Sequence, residues 1–121
     1  MIRATRSVFR IVAQVWLTLL VVGSLQPARP SLVTSFHPEI HWLAFAGTAF
    51  LLFVLSRNPH QEIRRAIAVI VLGLSLECLQ HLLYRNPMEW WDVRDDVLSV
   101  LAAFALYHFL GAPKPASAPP H

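Results

Sequence analysis

AIAVIVLGLSLECLQHLLYR, residues 66–85, decides the fold. It opens as an unbroken apolar run, yet its far end places Glu77, Gln80 and His81 within five positions. At about 1.5 Å of rise per residue, a helix needs roughly 20 apolar residues to cross a bilayer, and Ala66–Leu83 nearly reaches that. A strand reading fails twice. The run has no period-two alternation, and an open sheet cannot satisfy its backbone in hydrocarbon.

Working outward, three more apolar blocks flank this one, at about 8–25, 36–55 and 97–111. Of the 121 residues, 55% are hydrophobic and 14% charged, against about 25% charged in an average soluble domain. Four apolar blocks with short polar punctuation predict an all-α, polytopic membrane protein with four transmembrane helices. Residues 1–111 form one such domain, and the Pro-rich tail 112–121 reads as disordered. The fourth block is short and must borrow a first turn from Asp92–Asp96 to span.

Orientation follows the distribution of Lys and Arg. Arg3, Arg6 and Arg10 precede the first block, and Arg57, Arg64 and Arg65 fall in the second loop, "SRNPHQEIRR". Only Arg29 lies in the first loop. The third, "YRNPMEWWDVRDD", sets Arg85 and Arg94 against four carboxylates. The expectation is N-in/C-in, in an inner (cytoplasmic) membrane of bacterial type, with Trp90 and Trp91 in the outer aromatic belt. The first block also has the layout of a secretory signal, with Val22-Gly23-Ser24 as a weak cleavage site. Against that reading stand Gln14, Trp16 and Thr18, which are unusual in a signal core. Arg10, Gln14 and Thr18 share one helical face, better suited to a bundle interior than to lipid. The pI near 9.8 reflects topogenic cations that meet anionic headgroups, so membrane lipids are the expected partners. No basic–aromatic stripe points to nucleic acid. A homo-oligomer is compatible with this composition. The lone Cys78 reads as a small buried packing residue.

The polar residues fall on three faces. Glu77, Gln80, His81 and Tyr84 are spaced i, i+3, i+4, i+7 on the third segment. Asp92, Asp96, Ser99 and Ala103 recur at similar helical spacing on the fourth, and His37, His41, Phe45 and Thr48 on the second. With the expected topology all three faces converge at the outer half of the bundle, while the inner halves read as apolar. A charge in hydrocarbon costs about 2.5–3.5 kcal/mol on insertion scales, so these groups should face one another rather than lipid. Arg85 and Arg94 stand close enough in sequence to neutralise carboxylates. The candidate ligand-binding residues are therefore His41, Glu77, Gln80, Arg85, Asp92 and Asp96.

Each has a plainer alternative. Glu77 and Gln80 can form an interhelical clamp, His41 can be solvated at an interface, and Asp92 or Asp96 can cap the fourth helix. His81 is expected to tune Glu77, and Asp95 and Glu89 to be solvated loop charges. His41, Glu77 and Asp96 would suffice as three zinc ligands, but no HExxH or cysteine cluster accompanies them, and no cofactor is expected. Nor does any GxSxG point to a nucleophilic serine.

The ordered set His41 in "HPEIHWLAF", Glu77 and Gln80 in "ECLQ", then Arg85, Asp92, Ser99 and Ala103 resembles the VanZ-like membrane proteins over about residues 26–111. The resemblance departs in two places. His37-Pro38 stands where that family has Asp-Lys, and Asp96 where it has Asn. It implies an envelope-associated role, the founding member being associated with teicoplanin resistance, and it supplies no substrate. Three readings stand beside one another: a pocket for an envelope lipid, lipid-linked intermediate or glycopeptide-type drug; a small proton- or cation-conducting unit; and an intramembrane hydrolase or transferase with Glu77 as base.

Overall fold

The computed structural model describes residues 2–26 and 37–111. These form four helices: α1 (Ile2–Ser24), α2 (His37–Val54), α3 (Pro59–Tyr84) and α4 (Trp90–Phe109). The first loop with Arg29, and the tail expected to be disordered, lie outside the described residues.

Helices α1, α3 and α4 begin ahead of their apolar blocks, because the charged residues that precede those blocks are helical too. Asn58 caps α3, its side-chain oxygen accepting from the Gln61 N–H at 2.9 Å, with Pro59 next in line, where the lost N–H costs nothing. Glu62, Arg64 and Arg65, read from the sequence as loop residues, are thereby drawn into α3. Asp92, Asp95 and Asp96 likewise lie inside α4, which begins at Trp90.

Only Thr5–Ser24 and Pro59–Tyr84 are long and apolar enough to cross a membrane among the described residues. The apolar part of α2, Glu39–Val54, is shorter. The first two turns of α4 hold Asp92, Arg94, Asp95 and Asp96. Large apolar side chains stand exposed along all four helices, among them Leu19, Leu43, Ile67, Leu82, Leu101 and Phe109. Where such side chains adjoin, they mark surfaces that meet a membrane or another protein.

Among the described residues the core is built on α2 and α4, which pack most extensively, with α3 against both. Phe45, Ala49 and Phe53 of α2 meet Val100, Ala103 and Tyr107 of α4 and Val69 and Leu76 of α3. Phe53 packs edge-on to Phe104 at 5.5 Å. Helix α1 lies to the side, against α2 and α3. Trp16 seats on the backbone at Gly47, where a Cβ would come within 2.9 Å of the indole, and its Nε1–H donates to the Ala44 carbonyl at 3.1 Å. At the C-terminus of α1, where helical carbonyls lack intrahelical partners, Gln80 donates to the Ser24 carbonyl and Tyr84 to that of Leu25 at 2.6 Å.

Two expectations about these helices are reversed. The Arg10–Gln14–Thr18 face points outward, because Ala13, Trp16 and Leu20 supply the face that packs. Cys78 is exposed, since the turn that buries Glu77 rotates its neighbour away from the bundle.

Helices α1 and α4 do not pack on each other. Between them runs an apolar groove of about 510 Å³, floored by Ala46, Gly47 and Phe50 and walled by Trp16, Ala102 and Leu106.

Candidate functional site

The convergence expected from the three faces is present at one end of the core. His41, one turn into α2, lies between two carboxylates one turn apart on α4. Its Nδ1 is 3.1 Å from Asp96 Oδ1 and its Nε2 is 3.7 Å from Asp92 Oδ2. Both ring nitrogens thus face acceptors, an arrangement that accommodates an imidazolium, which donates from both. The ring also stacks on Phe45 at 5.9 Å, which fixes its plane. Asp96 is 2% exposed and Asp92 7%, so these carboxylates have left water almost completely.

Glu77 joins from α3, 5% exposed and within electrostatic reach of His41 and Asp92. The backbone N–H of Glu89, the residue before α4, lies near enough to the Glu77 carboxylate to favour the charged form. The N-terminus of a helix carries positive dipole and unpaired N–H groups, so this is a natural seat for a buried carboxylate. Neither Asp92 nor Asp96 caps α4. The N-cap position is Glu89, which makes no side-chain cap, and both aspartates point to His41 instead.

The approach of α3 to α4 depends on Gly73, which the sequence reading passes over. A Cβ there would lie 2.6 Å from Asp96 Oδ2 and 3.1 Å from Phe45 Cε1. Deeper in the same interface, the fully buried Ser99 donates back to the Asp96 carbonyl at 2.8 Å, and Thr48 to the Ala44 carbonyl at 2.7 Å. Both hydroxyls are satisfied within their own helices.

The remaining candidates lie elsewhere. The Gln80 amide is engaged with the end of α1. Arg85, the left-handed residue (φ 54°) ending α3, is exposed and makes no ion pair with the cluster. His81 bonds the Asn86 carbonyl, so it closes the α3–α4 turn rather than tuning Glu77. Asp95 is not a solvated loop charge. It is 7% exposed and takes two hydrogen bonds from Arg94, at 2.6 and 2.9 Å, while that guanidinium lies over Trp91. Arg94 therefore neutralises Asp95 and not the cluster. Three carboxylates among the described residues surround one imidazole. Among the described residues no three His, Cys, Asp or Glu side chains are placed to hold a metal ion.

The opposite end of the core holds a second pair that the sequence reading does not anticipate. Glu62, 7% exposed in the first turn of α3, lies 3.1 Å from Nε2 of His108 in the last turn of α4. His108 in turn packs on Phe104 at 4.4 Å, and Arg65 donates to the Leu52 carbonyl. The signal was available in the helix ends. A helix that starts at Asn58 and a neighbour that ends near Leu110 bring positions 62 and 108 to the same level.

No family model, no curated protein and no solved structure matches the chain.

Proposed function

We propose that this is a four-span, N-in/C-in inner-membrane protein of VanZ-like type. In this reading it binds an envelope amphiphile, with the headgroup at the His41–Glu77–Asp92–Asp96 cluster. What carries the reading is a juxtaposition on the helix pair α2 and α4. Their first two turns supply His41, Asp92 and Asp96, and within a few turns the same helices frame the apolar groove. The groove suits an acyl chain, since the small side chains of Ala46 and Ala102 leave its floor and wall open to a slender apolar occupant. The cluster selects the headgroup by charge. Among the described residues it sets three carboxylates about one imidazole, a pattern that favours an amine over a bare phosphate. Arg85, exposed at the end of α3 about two turns beyond Glu77, supplies the anion contact. An amphiphile bearing both a phosphate and an amino group satisfies both.

Native mass spectrometry of protein released from nanodiscs tests this. The wild type is expected to retain an amine-bearing phospholipid at least fivefold over an anionic one. Glu77→Gln should abolish that preference, and Arg85→Ala should lower total retention. Equal, unselective retention in all three would reject the reading. Topology is read separately, in a Cys78→Ser background: Asn86→Cys should react with an impermeant thiol reagent from outside, and Asn58→Cys should not.

The Glu62–His108 pair favours a second reading, proton or cation conduction, because ionisable groups now stand at both ends of the core. Between them lie Phe45, Ala49, Phe53, Val100 and Ala103, all buried and apolar, which oppose a continuous path. Proteoliposomes are therefore expected to show no flux driven by a pH gradient. A flux abolished by both Glu77→Gln and Glu62→Gln would put conduction in place of binding.

A further inference from the structure

We infer that α1 is a homodimerisation helix, and that its partner is α1 of a second copy of this chain, held by Gln14 against Gln14. The inference rests on α1 crossing the membrane. Thr5–Ser24 is the crossing segment, and Gln14 lies at its midpoint. That is the depth at which an amide cannot reach either interface. Helix α1 packs through Ala13, Trp16 and Leu20, which leaves Gln14 exposed. Among the described residues its side-chain amide has no hydrogen-bond partner. Polar groups placed in hydrocarbon find partners on other helices, and Gln is one of the residues that hold transmembrane helices together.

The flanking sequence supplies a seam. Ser7, Ile11, Gln14 and Thr18 are all exposed and recur at intervals of four, three and four. A spacing near 3.5 residues keeps one stripe facing a partner as two helices coil around each other, and a single polar position in such a stripe fixes register. Small residues at the ends of the stripe permit close approach. Thr18 donates to the Gln14 carbonyl at 2.9 Å, so its hydroxyl is satisfied and does not compete for the amide. Val12 and Trp16, which line the groove, fall on another side of the helix, so the dimer leaves the groove open.

The occupant is a second copy because of complementarity. A primary amide is both donor and acceptor. Two copies in one membrane share a topology, so a two-fold axis along the bilayer normal sets residue 14 against residue 14 at the same depth. An unrelated helix would need a matching polar group placed there independently. The outward turn of the Arg10–Gln14–Thr18 face also becomes intelligible, since it has an interior to face, one made by two chains.

Oxidative cross-linking in native membranes tests the seam, with single cysteines at positions 7, 11, 12, 18 and 19 of full-length Cys78→Ser protein, leaving Gln14 in place. Cross-linked dimer should be at least fivefold more abundant from 7, 11 and 18 than from 12 and 19. In lipid nanodiscs at fixed protein-to-lipid ratio, Gln14→Leu should lower the dimer fraction about tenfold, and Gln14→Asn should largely restore it. Uniform cross-linking along α1, a Gln14→Leu dimer fraction equal to wild type, or cross-links from position 11 to a different protein would each overturn the inference. The lipid-retention experiment fails or succeeds independently of this one, and the Asn86 and Asn58 labelling pattern reports the topology both share.

Discussion

His41→Ala is expected to destabilise the protein by about 3–5 kcal/mol, the range for removing one partner from a buried ion pair. The reason lies in what stays behind. Asp92 and Asp96 are 7% and 2% exposed, and among the described residues the imidazole lies within ion-pair distance of both. Arg94 is held by Asp95, and Arg85 lies outside the cluster. Without the ring, two carboxylates one helical turn apart would repel in a medium that barely screens them. The diagnostic is a double variant. Asp96→Asn removes a charge while keeping the shape, so His41→Ala with Asp96→Asn should recover at least half of the lost stability. Unfolding in one detergent, followed by circular dichroism across wild type, both single variants and the double, gives the coupling. If His41→Ala melts with the wild type, the ring is solvated and the cluster has another counter-charge. If Asp96→Asn adds its own loss without rescue, the aspartate matters for packing and not for charge.

The part of this site that can be read from sequence is the part carried by helical periodicity. His41, Phe45 and Thr48 on one segment, and Asp92, Asp96 and Ser99 on another, each recur at three and four residues. Once helices form, those spacings determine which side chains share a face. Glu77 follows because a carboxylate in an apolar run has few tolerable neighbours. Helix ends are less legible, because hydropathy stops at the first charge whereas the backbone stops at a cap. Read as a loop, "SRNPHQEIRR" hides Asn58 as an N-cap, and with it the meeting of Glu62 and His108, 46 positions apart. The sense of the α1 face is illegible for a related reason. Its polar stripe argues only that it needs an interior. The Trp16 indole fits the notch at Gly47, and that fit decides which side packs against this chain's own bundle. Gln80 illustrates a third limit. It lies on the face with Glu77, but one turn further along it meets the orphan carbonyls of α1, a contact between residues 56 positions apart that no local pattern announces.

Gly73→Ala, a single methyl added within an apolar run, is expected to cost about 1–3 kcal/mol, the usual range for overpacking a filled interface. In an ordinary helix the same change would stabilise by up to about 1 kcal/mol, because glycine is a poor helix former. The sign is reversed by what the methyl meets. Its carbon would stand 2.6 Å from Asp96 Oδ2 and 3.1 Å from the Phe45 ring. Phe45 is 2% exposed and stacked on His41, so it has no free side to move into. The Asp96 carboxylate is short and held at Oδ1 by His41 Nδ1, so relief requires α3 to move off α4 or the aspartate to leave the imidazole. Either movement opens the cluster. The expected result is therefore twofold: a lower melting temperature, and a change in the His41 ring nitrogen shifts observed by selective ¹⁵N-histidine NMR. The control is Ser75→Ala on the exposed side of α3, where the lost bond is a 2.7 Å contact to the Val71 carbonyl of the same helix. That variant should leave the His41 signals unmoved. A Gly73→Ala protein as stable as wild type with unchanged His41 shifts would mean that α3 and α4 are not in close contact at this level, and the seat of Glu77 at the start of α4 would go with it.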